Sequence, residues 1–165
     1  MNTPDHDIDR PQAANVDRQV AVEAADLPGE ALLGAWVGGV LAHYPEKAAF
    51  ELTVRFVTPE ESQALNRDYR GRDKPTNVLS FPFEAPPGVP LELLGDLVIC
   101  HDVVASEAHQ QQKLLVDHYA HMVVHGTLHL LGLDHIEDDE ADIMEQLERE
   151  ILAGFGIDDP YCPGG

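Results

Sequence analysis

The spacing of apolar residues divides the chain into four predicted strands and five predicted helices. Phe50, Leu52, Val54 and Phe56 alternate with polar residues, which is the period-two pattern of a strand with one buried face. Shorter runs bounded by turn residues predict the other strands. The predicted strands cover residues 16–24, 48–57, 76–83 and 93–102. The last two are expected to pair in the antiparallel direction.

Apolar residues that recur every three or four positions predict the helices. The second helix has Thr58 as its N-cap, Pro59 at its first position and Glu61 three residues after the cap, a capping-box arrangement. The fourth helix is strongly periodic and is expected to end at Gly132, since glycine readily adopts the left-handed conformation. The predicted helices cover residues 27–44, 59–69, 103–112, 114–131 and 138–153.

The order of these elements, β-α-β-α-β-β-α-α-α, predicts the α+β class, with helices packed on a small mixed four-stranded sheet. A chain of 165 residues, 44% of them hydrophobic, is long enough for one hydrophobic core and too short to expect two. The single domain is expected to span residues 16–157. A disordered polar tail (1–15) and a flexible C-terminal end (158–165) are expected to flank it.

Composition also bears on the compartment. The longest uncharged apolar stretch, from Ala31 to Ala42, is shorter than the ~20 residues that a transmembrane helix needs. The first residues do not resemble a signal peptide, because no basic segment precedes an apolar one. Cys100 and Cys162 form no C-x-x-C pair, which favours reduced thiols. We therefore expect a cytoplasmic protein that does not associate with a membrane.

The segment HGTLHLLGLDH, residues 125–135, carries three histidines at a spacing suited to one metal ion. His125 and His129 are four residues apart, so about 40° of rotation and about 6 Å of rise separate them on one helix face. A continued helix would place His135 about 240° round from His129, beyond the reach of an ion that needs each nitrogen within ~2.1 Å. If the helix ends at Gly132, His135 can return to the ion. Three protein ligands leave a position open for water or substrate, as in catalytic zinc sites.

The same histidines also admit a structural interpretation and a proteolytic one. His125 and His129 could be hydrogen-bonded core residues, with His135 at the surface. The spacing is that of the metzincin peptidases as well, but their water-activating glutamate would fall at Gly126, which has no side chain. His121, one turn before His125, is expected to pack against the site, with direct metal binding as the alternative.

Charge is distributed unevenly along the chain. The formal net charge of −20 argues against a broad nucleic-acid-binding surface, because such surfaces neutralise phosphates with lysine and arginine. However, four of the ten basic residues crowd into one short segment, where they could form a local basic patch. These residues are Arg67, Arg70, Arg72 and Lys74.

Three segments resemble the YbeY family of bacterial rRNA maturation factors, which are metal-dependent endoribonucleases. HGTLHLLGLDH matches the H-G-x-L-H-L-x-G-x-D-H signature of the family, LNRDYRGRDKPTNVLSFPF matches its second hallmark, and LLGDLVIC resembles a third. The resemblance implies one zinc ion per chain, bound by His125, His129 and His135, and a functional arginine at Arg70. It also implies cleavage of single-stranded RNA, with roles in 16S rRNA 3′-end maturation and in ribosome quality control.

The chemistry of the implied reaction suits the basic segment. Phosphodiester hydrolysis builds negative charge on phosphoryl oxygens, and the guanidinium of Arg70 can contact two of them at once. Arg67, Arg72 and Lys74 are expected to guide the RNA backbone. The expected substrate is single-stranded RNA or an rRNA precursor, and DNA is not expected.

The helix predicted over 138–153 is rich in acidic residues, among them Glu145 and Glu148. It is a candidate surface for a basic partner such as a ribosomal protein, and a merely solvated face is the alternative. A third interpretation of the chain, from another class of protein, is a non-catalytic ribosome-assembly factor in which the metal only stabilises the fold. The expected partners in either case include the ribosomal subunit or its proteins.

Overall fold

A four-stranded mixed sheet forms the centre of the fold. In the computed structural model, which describes residues 13–88, 91–132 and 138–161, the strands lie in the order β1-β2-β4-β3. β1 and β2 are parallel, β2 and β4 are parallel, and β3 pairs antiparallel with β4 at the edge. The strands are β1 (Val16–Val20), β2 (Glu51–Val57), β3 (Val78–Pro82) and β4 (Leu93–Cys100). The predicted α+β class and the antiparallel pairing of the last two strands are confirmed.

Within the part of the chain that the structure describes, five α-helices connect or follow the strands. The helices are α1 (Glu30–Leu41), α2 (Pro59–Arg70), α3 (His101–Gln110), α4 (Leu115–Leu130) and α5 (Asp138–Ala153). The predicted boundaries differ most at β1, which ends at Val20 rather than at Ala24, and at α1, which covers 30–41 rather than 27–44. Helix α3 begins at His101 rather than at Val103 because β4 passes into it without a loop. Among the described residues, no helix combines the length and the apolar character needed to cross a bilayer.

The larger hydrophobic core lies between the sheet and helices α1, α4 and α5. Val54 and Leu97 of the sheet, Val37 of α1 and Val123 of α4 have no exposed surface. Burial of such a side chain contributes about 1.5–3 kcal/mol. Helix α4 is therefore held along most of its length by the core, and its histidines have a fixed position relative to the sheet.

The opposite face of the sheet carries a smaller core under α2 and α3. Val57, Leu79 and Val98 are buried there, with Leu65 of α2 packed against them. Helix α2 begins as predicted, since the Thr58 hydroxyl accepts a hydrogen bond from the Glu61 amide at 3.3 Å. It ends at Gly71, which has the left-handed φ of 72°. The last helical residue, Arg70, is thereby placed beside edge strand β3.

Candidate metal centre

Two of the three predicted metal ligands converge in the structure. The Nε2 atoms of His125 and His129, on successive turns of α4, lie 3.1 Å apart, and their ring centroids are 4.6 Å apart. Tetrahedral zinc with Zn–N bonds of about 2.0–2.1 Å separates two ligand nitrogens by about 3.3 Å. The two imidazoles are therefore arranged as a pair of zinc ligands would be. Both side chains are half-buried, as an accessible site requires.

Helix α4 ends where the spacing predicts. Its last residue is Leu130, and Gly132 has a φ of 103°, a conformation that side chains with a Cβ rarely adopt. The Gly132 amide donates to the His129 carbonyl at 3.0 Å and so closes the last turn. The third predicted ligand, His135, lies outside the described residues, so its coordination stays a prediction.

A cleft of about 500 Å³ lies beside the two histidines. Arg70, which is distant from the two histidines in sequence, also lines the cleft. Its Nη2 donates to the Ser80 carbonyl of β3 at 2.9 Å. The Arg70 guanidinium also lies 5.9 Å from the centre of the Phe81 ring. Its remaining N–H groups have no acceptor among the described residues. The cleft therefore combines imidazole donors with an anchored cation that can bind an anionic group. The residues that line it are Arg70, Asn77, Val78, Leu79, Ser80, Pro82, His125, His129 and Gly132.

The close approach of α4 to the sheet explains why residue 126 is a glycine. A Cβ built on Gly126 would lie 2.8 Å from Leu97 Cδ2 and 3.2 Å from Ser80 Oγ. The Ser80 hydroxyl in turn donates to the Gly126 carbonyl at 3.2 Å. The close contact between helix and sheet thus leaves no room for a side chain at the position where a metzincin has its water-activating glutamate.

The other predicted RNA-binding residues lie apart from the cleft lining. Arg67, Arg72 and Lys74 are exposed, and none of them lines the cleft. Arg67 pairs with Asp68 at 3.3 Å and with Asp73 at 3.9 Å. Exposed pairs of this kind contribute only about 0–1 kcal/mol, so Arg67 can exchange them for a phosphate. The role of these three residues stays a prediction.

A buried carboxylate lies behind the histidine pair. Glu148 of α5 has no exposed surface, and its Oε1 accepts hydrogen bonds from His125 Nδ1 at 3.2 Å and from His121 Nε2 at 2.8 Å. The Tyr161 hydroxyl donates to both carboxylate oxygens, at 3.0 and 2.9 Å. Three donors thus converge on one carboxylate, which satisfies the requirement that a buried charge be hydrogen-bonded.

The protonation states of this cluster follow from its environment. Burial raises the pKa of Glu148, but hydrogen bonds from His121 and His125 outweigh it and hold that pKa at about 2. Burial lowers the pKa of His121 more than the neighbouring Glu148 raises it. For Tyr161, burial and the Glu148 charge both raise the pKa, so its hydroxyl stays protonated. At neutral pH, an ionised carboxylate therefore faces a neutral His121 and a phenol that donates.

The same atoms offer a second way to hold a metal ion. Ligand atoms of His121, His125 and Glu148 all lie within 4.8 Å of one another. However, Glu148 is fully buried and both of its oxygens accept from Tyr161, so an ion there would have no open position. The Nε2 side of His125, which faces His129, adjoins the cleft instead. An ion on the Nε2 side could therefore keep a position open for water or substrate.

Glu148 was predicted to lie on an exposed acidic surface, and that prediction was wrong. A signal was present, however. Met144, Glu148 and Leu152 recur at four-residue spacing, and all three have no exposed surface. Glu148 thus falls on the apolar face of α5, where an acid requires a specific partner. His121 packs against the site through this carboxylate, as expected.

The fold and the site together define the class of protein. Two histidines spaced as zinc ligands and an arginine anchored on β3 line the same cleft of a small α+β domain. A hydrolase that binds a metal ion and an anionic substrate would require such a site. A family model described as Endoribonuclease YbeY matches residues 15–156. The chain therefore belongs to the YbeY family.

Individual relatives agree with this assignment. The chain is 69% identical, over 150 residues, to the Endoribonuclease YbeY of Chromohalobacter salexigens, a match that covers 90% of this chain and 97% of the relative. Among solved structures, it resembles the solution structure of TM1509 from Thermotoga maritima, with a TM-score of 0.52 and 24% identity. That match covers 88% of this chain and 99% of the other, and it supports the fold.

Proposed function

We propose that this protein is a zinc-dependent endoribonuclease that hydrolyses single-stranded RNA in the cleft between α4 and β3. As a member of the YbeY family, the chain is a nuclease that acts on RNA. The proposed site rests on a single observation: His125 Nε2 and His129 Nε2 lie 3.1 Å apart beside a cleft that Arg70 also lines.

The donor set suits zinc. Neutral imidazole nitrogens are common zinc ligands, and His135, which follows Gly132 in the family signature, would supply the third. A zinc ion bound there supplies Lewis-acid polarisation of a phosphoryl oxygen and lowers the pKa of a water molecule. We assign one ion per chain.

Arg70 binds the scissile phosphate in this proposal. Its hydrogen bond to the Ser80 carbonyl fixes the guanidinium at the rim of the cleft, so that the remaining N–H groups can meet two phosphoryl oxygens. Charge develops on those oxygens as the phosphodiester bond breaks, and a cation already in place stabilises it without reorganisation. Arg67, Arg72 and Lys74 guide the flanking strand by attraction that is weak and sensitive to salt.

The cellular role proposed here is rRNA processing in the cytoplasm, including 16S rRNA 3′-end maturation and ribosome quality control. A net charge of −20 leaves little basic surface for RNA beyond the Arg67–Lys74 segment. The ribosomal subunit or a ribosomal protein would therefore present the strand to the cleft. Peptide hydrolysis is disfavoured, because the contact at Gly126 leaves no room for the glutamate that peptidases use.

Cleavage of a labelled single-stranded oligoribonucleotide, compared with its duplex, tests the proposal. We expect wild-type protein with Zn²⁺ to cut the single strand. His129→Ala should abolish cutting together with zinc binding. Arg70→Ala should lower kcat/KM about 10²–10³-fold, since removal of one charge-stabilising donor has this effect in other enzymes. Mapping of the product ends would identify the bond that breaks.

Arg72→Ala is the matched control for Arg70→Ala, because Arg72 is exposed in the same segment but does not line the cleft. We expect Arg72→Ala to raise KM at low salt and to leave kcat unchanged. Undiminished cleavage by both His129→Ala and Arg70→Ala would contradict the proposed site. Efficient cleavage of casein by the wild type would favour a peptidase instead.

A further inference from the structure

We propose that Glu148 is a positioning residue for the metal site, which holds the His125 ring so that its Nε2 lone pair faces His129. This inference rests on the metal site of the proposed function, but not on RNA as its substrate. It assigns a purpose to a fully buried carboxylate that the reaction itself does not require.

The position of the proton on His125 is the central point. A neutral imidazole carries one proton, on Nδ1 or on Nε2, and only the nitrogen without it can bind a metal. His125 Nδ1 lies 3.2 Å from Glu148 Oε1, an oxygen that can only accept. The proton is therefore held on Nδ1, and the lone pair on Nε2 is directed at His129, whose own Nε2 is 3.1 Å away.

The carboxylate is itself held in place by two further donors. His121 Nε2 donates to it at 2.8 Å, and His121 Nδ1 has no partner among the described residues, which fits a ring whose proton is on Nε2. The Tyr161 hydroxyl donates from the other side. Tyr161 is fixed in turn, because its amide donates to Asp159 at 2.8 Å and Asp159 pairs with Arg149 at 3.0 Å. Glu148 thus cannot turn away from His125 without the loss of several hydrogen bonds.

The cluster unites parts of the chain that are distant in sequence. α4 supplies both histidines, α5 supplies the carboxylate, and residues 158–161 supply the tyrosine. The buried face of the acidic helix α5 therefore packs directly behind the proposed metal site. Outer hydrogen-bond partners of this kind change metal affinity by about 10- to 100-fold when they are removed.

Zinc affinity of Glu148→Gln, measured by competition with a chromophoric chelator, tests the inference. Glutamine keeps the volume of the side chain but removes its charge and leaves one accepting oxygen in place of two, so it cannot accept from His121, His125 and Tyr161 together. We expect affinity for Zn²⁺ to fall about 10- to 100-fold. Glu150→Gln is the matched control, since it makes the same charge change two residues later on α5, where Glu150 is exposed and accepts from Gln146. Affinity in the control should equal that of the wild type.

The protonated nitrogen of His125 is a readout that a merely structural role would not move. Nitrogen-15 NMR of the metal-free protein should detect the proton on Nδ1 in the wild type and in Glu150→Gln. In Glu148→Gln we expect a mixture of the two neutral forms. If Glu148→Gln fails to fold, Glu148→Asp replaces it, because that variant keeps the charge but retracts the carboxylate by one methylene. It should then give an intermediate affinity.

Three outcomes would overturn the inference. The first is wild-type zinc affinity in folded Glu148→Gln, and the second is an Nε2 proton on His125 in the wild type. The third is retention of zinc by His129→Ala together with its loss in Glu148→Gln, which would make His121, His125 and Glu148 the direct ligands. Failure of the proposed function is distinguishable, because a wild type that binds zinc and cuts no RNA leaves these affinities and proton positions unaffected.

Discussion

At the scale of single residues, Gly126 is the position at which the sequence differs from that of a metzincin peptidase, and a side chain there should lower the stability of the fold. Its Cβ position lies 2.8 Å from Leu97 Cδ2, and Leu97 is fully buried, so Gly126→Ala forces that side chain to repack. Overpacking of this kind destabilises by about 1–3 kcal/mol. We therefore expect Gly126→Ala to lower the free energy of unfolding by this amount in a urea titration, although alanine favours helices.

Gly29→Ala is a suitable control for that substitution. No atom lies within 4 Å of a Cβ on Gly29, and its φ of −82° suits any residue. Gly29 is the N-cap of α1, where alanine is less favourable than glycine, so Gly29→Ala should lower the free energy of unfolding by less than about 1 kcal/mol. If Gly126→Ala proved as stable as the wild type, the packing explanation for the missing glutamate would fail.

Arg70→Lys tests the geometry of the cation rather than its charge. Lysine keeps the charge but loses the planar fork that donates to the Ser80 carbonyl and that, in the proposed site, would also donate to two phosphoryl oxygens. We expect kcat to fall by at least about tenfold, with KM changed less, in the oligoribonucleotide assay. Arg72→Lys should leave both parameters at wild-type values. Equal kcat for wild type and Arg70→Lys would mean that only charge matters.

At the scale of elements, local chemistry predicted most of the helices and strands, because each has its own signal. The Thr58 N-cap and the left-handed Gly132 set the limits of two helices, and both are present. The capping box itself is only half formed, since the Glu61 carboxylate pairs with Arg55. The start of α3 was harder to predict from the sequence, because His101 follows β4 with no turn residue between them. The spacing of α5 places Glu148 on its apolar face, but the partners of Glu148 on α4 and at Tyr161 come from distant segments that α5 alone does not indicate.

The link between α3 and α4 gives a prediction on pH. The His118 hydrogen bond, the largest effect, and one from Asn77 lower the pKa of Glu107 below its usual 4.5 against the opposing effect of burial. Glu107 therefore contributes stability that is complete above pH 4.5 and is lost as the pH falls through its lowered value. We expect Glu107→Gln to cost about 1.5–3 kcal/mol at pH 7 and progressively less below pH 4.5.

Urea titrations from pH 7 to pH 3, on wild type and variant, would measure this difference. Glu84→Gln serves as the control, because Glu84 is exposed and its side chain has no partner among the described residues. The Glu84→Gln difference should stay near zero throughout. A Glu107→Gln difference that did not change with pH would contradict the assigned hydrogen bonds.

At the scale of the whole molecule, the strand order and the contacts around the site depend on long-range packing. The parallel pairing of β2 with β4 places β3 at the edge, where Arg70 meets Ser80. Sequence motifs predicted that His125, His129 and Arg70 matter, but not that the Arg70 guanidinium is anchored on a strand edge. Pairing between distant segments has no local signature, so these contacts could not be derived from the order of elements alone.

Removal of the metal would distinguish a catalytic role of the ion from a purely structural one. Helix α4 is held by core residues such as Tyr119 and Leu128, which have no exposed surface, so we expect metal-free protein to keep its circular dichroism spectrum. Zinc at 100 times its Kd should add about 2.7 kcal/mol, which raises Tm by roughly 5–10 °C in a domain of this size. His129→Ala should lose this increment while folding normally, because it removes one of the two converging nitrogens. Global unfolding of the wild type on chelation would instead make the metal a structural element of the fold, as a non-catalytic assembly factor would require.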